Sequence, residues 1–214
     1  FYHKPQISLN HYWTIDEKSS LTTSLYASLS SGGGRRVRGA RSEWLTIDNN
    51  TGRPKDGAKM TNDGLIDYES VIAANANSLN GSQAIFTNAV NDHDWYGTLS
   101  SYKNRINENL TFTGGIDLRY YKGYHTEQID DLLGGEYFLQ QSPLAFQTKN
   151  QLLKVGDYTN YYSIGEILWG GTFAQLEYNT DKWSGFFSAS ITDEAYRYED
   201  RGGTGSIYTR EENP

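Results

Sequence analysis

The sequence predicts an all-β fold of long antiparallel strands, and three observations predict it. Side chains alternate with period two over runs of more than about ten residues, where ordinary strands average about 5–6. Connections alternate strictly, tight turn then very long loop, so that the long loops gather at one end. Aromatic residues cluster near the strand ends: Tyr12 and Trp13, Trp95 and Tyr96, Tyr120 and Tyr121, Tyr161 and Tyr162, Trp183, Tyr196 and Tyr198.

The elements follow in order. From Gln6 to Ile15 the odd positions are Ile7, Leu9, His11, Trp13 and Ile15, set against Ser8, Asn10, Tyr12 and Thr14. "DEKS" (16–19) turns the chain, and alternation resumes as Leu21, Thr23, Leu25, Ala27 and Leu29, which makes a hairpin. A long irregular stretch rich in Asn, Asp, Gly and Ser is expected from "SSGGGRRVRGAR" to about Asn91. A third strand, weak in apolar residues, runs from about Asp94 to Arg105 and turns at "INEN" (106–109). The fourth sets Leu110, Phe112, Gly114, Ile116, Leu118 and Tyr120 on one face, with Thr111, Thr113, Gly115, Asp117, Arg119 and Tyr121 on the other. A second irregular segment is expected over about 124–160. The last hairpin is "YYSIGEILWGGTFAQLEY", the turn "NTDK" and "WSGFFSASITDEAYRY". In its first arm the apolar parity changes between Phe173 and Ala174, which a bulge or burial on both faces would explain.

Composition narrows the class. The 214 residues are 36% hydrophobic with mean hydropathy −0.69, yet 17 Tyr, 8 Phe and 5 Trp exclude a disordered chain, since such chains are poor in aromatics. A net charge of −7 gives no electrostatic footprint for nucleic acid. The absence of Cys excludes disulfides and thiolate metal sites. No apolar run approaches the roughly 20 residues of a membrane-spanning helix, and the opening "FYHKPQISLNHYW" has no initiator Met or signal core, so it reads as a mature or truncated product.

A soluble sandwich explains the alternation but not long arms with every long loop at one end. A bacterial outer-membrane β-barrel predicts all of it: strands that cross with tilt, short periplasmic turns, long extracellular loops, and aromatic girdles at both interfaces. The expected fold is therefore an antiparallel transmembrane β-barrel segment of about six long strands, or three hairpins. About eight strands is the smallest such barrel, and the tail "GGTGSIYTREENP" lacks a terminal strand ending in an aromatic residue. Residues 1–214 are accordingly expected to be part of one larger barrel domain without its C-terminal strands. Oligomeric closure and a soluble or surface glycan-binding β-sheet remain open.

The stretches "YHKPQISLNHYW", "VNDHDWYGTLSSY", "GGIDLRYYKGYHTEQIDDLLGG" and "VGDYTNYYSIGEILWGGTFAQLEY" resemble the barrel of TonB-dependent outer-membrane receptors, most of all the Bacteroidetes type. The resemblance spans nearly the whole chain outside about 42–80. It implies a barrel of about 22 strands closed by a plug domain, importing an iron chelate, cobalamin or glycan with energy passed through TonB. The implied partners are outer-membrane lipid and lipopolysaccharide, the receptor's own plug and through it TonB, and a small-molecule or glycan ligand. The plug and the TonB-contacting box are absent from this sequence. A smaller barrel outside this family is the other membrane reading.

Candidate site residues fall in two groups. "DLRYYKG" places Asp117, Arg119 and Tyr121 on the polar face, as substrate or plug contacts or as a charge ladder in the wall. "GGGRRVRGAR" places Arg35, Arg36, Arg38 and Arg41 beyond the outer end of the second strand, where lipopolysaccharide or an anionic substrate would be met, or where the arginines balance nearby acids. "HTEQIDDLLGGEY" offers His125, Asp130 and Asp131 in a short helical or turn insertion, packed by Leu132 and Leu133, that closes over ligand or packs for its own stability. "NDHDW" would hold a metal only in a loop, because neighbouring strand residues face opposite ways. "DNNTGRPKDG" begins like a calcium loop but has Lys59 where the bidentate Glu belongs, and reads as a surface turn. No motif of nucleophilic, phosphate-loop or metalloprotease chemistry is present, so no enzyme, cofactor or metal is expected.

Overall fold

The structure is a computed structural model that describes residues 1–147, 151–203 and 206–209. It is an antiparallel sheet carrying a cap of loops at one end. The strands are β1 (Tyr2–His3), β2 (Gln6–Thr14), β3 (Ser19–Arg38), β4 (Ile85–Arg105), β5 (Leu110–Asp131), β6 (Phe138–Gln140), β7 (Gln151–Leu153), β8 (Tyr158–Asn179), β9 (Ser184–Asp200) and β10 (Ile207–Thr209). β1 and β2 pair with β3, and the order continues β4, β5, β8, β9, β10; β6 and β7 form a separate small hairpin. Among the described residues the sheet is open, with β1 and β2 along one margin and β9 and β10 along the other.

The irregular segments are shorter than the sequence implies. β3 carries on through Gly32–Gly34 to Arg38, paired with β4 as far as Ile85. β5 carries on to Asp131, so His125–Asp131 is strand and not a helical insertion. Alternation fades there because the cap covers these strand ends, and period two no longer separates a dry face from a wet one. The first long connection contains a helix, α1 (Tyr68–Ala76), which the polar composition concealed. Asp67 caps it by accepting from the Ser70 N–H at 2.9 Å.

Carried along the pairing register, one face of the sheet collects Ile7, Leu9, His11 and Trp13 of β2 with Leu21, Leu25, Ala27 and Leu29 of β3. Tyr96 and Tyr102 of β4 join them, as do Leu110, Phe112, Ile116, Leu118 and Tyr120 of β5. β8 and β9 add Leu168, Ala174, Leu176, Phe187, Ala189 and Ile191. The other face carries Ser and Thr, Asp117 and Arg119, a scatter of rings, and the aliphatic Leu99 and Ile167. β8 keeps one unbroken register with β9 from Ser163 to Asn179, so its change of parity is not a bulge. Trp169 and Phe173 belong to the polar face, where Phe173 lies against Gly115 of β5 and Trp169 against its neighbour Gly171.

Buried hydrophobic residues lie elsewhere. One cluster is Leu45, Val71, Ala84 and Leu133; the other is Ile85, Ile129, Leu132 and Leu153, with Phe138 packed against it. Both sit in the cap. The apolar face of the sheet has no such covering, and Ile7, Leu9, Phe187 and Ile191 are 73%, 67%, 71% and 76% exposed.

Candidate functional site

Where the sheet meets its cap, two bulges bend the strands. One lies between Phe86 and Thr87 against β5, the other between Thr126 and Glu127 against β8. The second leaves two residues of β8, Asn160 and Tyr161, opposite none, and Asn160 takes the left-handed conformation at φ 62°. Asn tolerates that region better than most residues. The kink aims its amide at Glu127.

Glu127 is fully buried and ties four strands together. Arg38 of β3 grips both its oxygens, Nε to Oε1 at 2.8 Å and Nη2 to Oε2 at 2.9 Å. Thr87 of β4 donates its hydroxyl to Oε1, and Asn160 of β8 donates Nδ2 to Oε2 at 2.7 Å. Burial pushes the Glu127 carboxyl up, but the bonds from Arg38, Thr87 and Asn160 with the Arg38 charge outweigh it and hold it below the ordinary 4.5. This end of β5 lies well past the exposed apolar band of the strand, which stops at Tyr120.

A second polar residue welds the cap. Asn75 of α1 is buried; its Nδ2 donates to the carbonyls of Ala84 (2.8 Å), Leu132 (3.2 Å) and Leu133 (3.0 Å). Its Oδ1 accepts from the Gln83 N–H at 2.8 Å. One side chain thus joins the first long connection to the second.

Beside the Arg38–Glu127 pair opens a cavity of about 650 Å³. Its walls are the end of β3 with Gly39 and Ala40, the Asn80–Gln83 approach to β4, β6 with Gln141 and Ser142, and Thr159 and Asn160 at the bulge. Gly39 holds φ 109° there, and a side chain on it would meet the Gln83 carbonyl.

The residues singled out from sequence are dispersed. Asp117 and Arg119 pair with each other on the polar face, Arg119 Nε to Asp117 Oδ1 at 3.0 Å, and the guanidinium lies 4.6 Å from the Trp169 ring centre. Tyr121 shares that face and stands 5.6 Å from the His93 ring. The four arginines do not form one cationic cluster. Arg35, Arg36 and Arg38 lie within β3, so alternation splits them between faces. Arg35 pairs with Asp130 at 2.7 Å on the apolar-face side; Arg38 serves Glu127; Arg41 lies 3.5 Å from Glu43 in the loop; Arg36 is exposed. His125 Nδ1 stands 2.7 Å from Asn91 Oδ1, and Asp131 accepts from the Leu133 N–H at 2.8 Å. His93 and its two aspartates are in β4, with Asp92 bonded by the Gly32 N–H at 2.8 Å. Asp48 closes a surface turn by accepting from the N–H groups of Asn50 and Thr51.

Sequence reading missed Glu127, Asn75 and the cavity. The pattern Asp67-x-x-Ser70 ahead of an Ala-rich run was a usable signal for α1, and hence for Asn75. Glu127 had none, because its partners come from three other strands. No protein-family model matches the chain, and no curated protein matches it.

Proposed function

We propose that the chain is a wall segment of an outer-membrane β-barrel, its apolar face toward lipid and its polar face toward the lumen. The barrel would belong to a TonB-dependent receptor importing a scarce nutrient in the bacterial outer membrane. The observation that carries this reading is the exposed apolar band, whose upper limit is sharp on β5, although Asp193 of β9 stands within its level. On β5 the band runs from Leu110 to Tyr120 and ends at Lys122. In register across the sheet, Asp94, Lys122, Glu166 and Arg197 make a row of alternating charge on the same face, and Lys122 pairs with Glu166 at 2.7 Å.

The dimensions agree with a bilayer. The β4–β5 turn lies about two residues lower in the register than the β2–β3 turn, and the β8–β9 turn about one and a half lower again. Two strand spacings separate successive turns, so turns sharing one level require a strand tilt of roughly 30°, at ~3.3 Å per residue and ~4.8 Å per strand. Barrel strands tilt by about 35–45°. Ten residues so tilted make the band roughly 29 Å tall, close to the ~25 Å of outer-membrane barrels. The lumen would receive the plug, and the cap would meet ligand and stand among lipopolysaccharide.

The test uses the lack of native cysteine. Single variants Leu25→Cys, Leu118→Cys and Thr113→Cys, in intact outer membranes, are treated with a charged maleimide, then again after detergent extraction. The expected result is protection of Leu25→Cys and Leu118→Cys against labelling until extraction, with Thr113→Cys reacting beforehand. Equal labelling of all three in membranes would overturn the assignment.

A further inference from the structure

We propose that the cap cavity binds a neutral, polyhydroxylated unit, a saccharide, and so narrows the imported nutrient to that class; the inference rests on the receptor reading above. Its volume of about 650 Å³ suits a small ligand, since such sites run about 300–1,000 Å³. The lining supplies one charged side chain, Arg38, and that charge is already matched by the two bonds to Glu127. An anionic ligand would find no uncompensated cation there.

What the walls do offer is carboxamide and hydroxyl. Gln83 and Gln140 are spent on structure: Gln83 donates to Ser78 Oγ and the Gly81 carbonyl, and Gln140 accepts from Thr159 while donating to Gln147. These bonds fix the wall. Asn80, Gln141 and Ser142 have side chains with no protein partner among the described residues, and Asn160 leaves its Oδ1 open after donating to Glu127. A carboxamide donates and accepts from one planar group, as a sugar hydroxyl does from one oxygen. An apolar ligand would strip water from these groups and return nothing. Half-buried Phe138 adds a ring to the same lining, which suits the C–H face of a pyranose. Neutral charge, open amides and one ring together select a polyol over an anion or a hydrocarbon.

The experiment is saturation-transfer NMR with calorimetry on the full polypeptide that carries these residues, purified from outer membranes in detergent micelles. The probes are maltotriose, cellotriose, xylotriose and mannotriose, with trigalacturonate and ferric citrate as anionic comparisons. At least one neutral trisaccharide is expected to bind, and both Asn80→Leu and Gln141→Leu, exposed positions that leave the Arg38–Glu127 pair intact, to weaken it by about tenfold or more. Binding of the anions alone, no binding of any neutral probe, or neutral binding unchanged in both variants would overturn the proposal. The maleimide pattern reports the other reading separately. Protected Leu118→Cys without sugar binding defeats the saccharide inference alone, while sugar binding with uniform labelling defeats the barrel alone.

Discussion

Glu127 shows how much one buried carboxylate can hold. Its two oxygens receive Arg38, Thr87 and Asn160, so a single side chain fixes the ends of β3, β4, β5 and β8. Glu127→Ala leaves Arg38 without its acid, and because hydrogen bonds to charged groups contribute about 1.5–3 kcal/mol, a loss of roughly 2–3 kcal/mol is expected in urea unfolding. Because the folded carboxyl sits below its ordinary 4.5, this contribution is complete above that value and is lost as pH falls through the lowered one. Glu127→Gln should therefore remove that part of the acid dependence of unfolding; an acid limb identical to that of the unsubstituted protein would argue against the network. None of this is legible in the sequence, where Glu127 is one acid among 26 Asp and Glu.

At the scale of the element, legibility tracks contrast between faces. β2, the lower part of β3, and β5 up to Tyr121 were readable because one face is oily and the other wet. Beyond Leu29 and Tyr121 both faces are polar or capped, the period loses its amplitude, and the sequence of the strand ends reads as loop. β8 was readable as a strand but not in its facing, because Trp169 and Phe173 cover glycines on the polar side and so place apolar residues at both parities. The site was less legible than the strands. Its residues converge through cross-strand register. Of the two readings the sequence leaves for the arginines, the pairing with acids is the one seen for Arg35, Arg38 and Arg41, but the sequence does not say which acid each meets, and it places Arg35, Arg36 and Arg38 beyond a strand that in fact contains them. The facing assignment makes an energetic prediction for β5. In the proposed barrel, Leu118→Arg should cost about 2–4 kcal/mol of stability, whereas Thr111→Arg on the opposite face should cost far less. Equal losses in paired unfolding measurements in lipid would count against it.

For the whole molecule, the open margins decide what must surround it. β2 and β9 lie at or beside the edges of a sheet whose apolar face is bare, and unpaired backbone is not tolerated in hydrocarbon. In a bilayer these edges need further strands. Where the same polypeptide supplies those strands, as the proposed receptor reading requires, an antibody to the loop around residues 48–60, used on purified outer membranes, should detect a polypeptide much heavier than 24.2 kDa. A band near 24.2 kDa in the soluble fraction would favour a free β-sheet protein that binds glycans through its exposed rings.

The Asn75 bridge has a dynamic corollary. Because one amide joins the approach to β4 with Leu132 and Leu133, neither long connection can come away without breaking its bonds to the other. The two are therefore expected to open together, as one cooperative unit. Amide hydrogens of α1 and of the stretch around Leu133 should then exchange with solvent deuterium at one shared opening free energy, and Asn75→Ala should split that value in two.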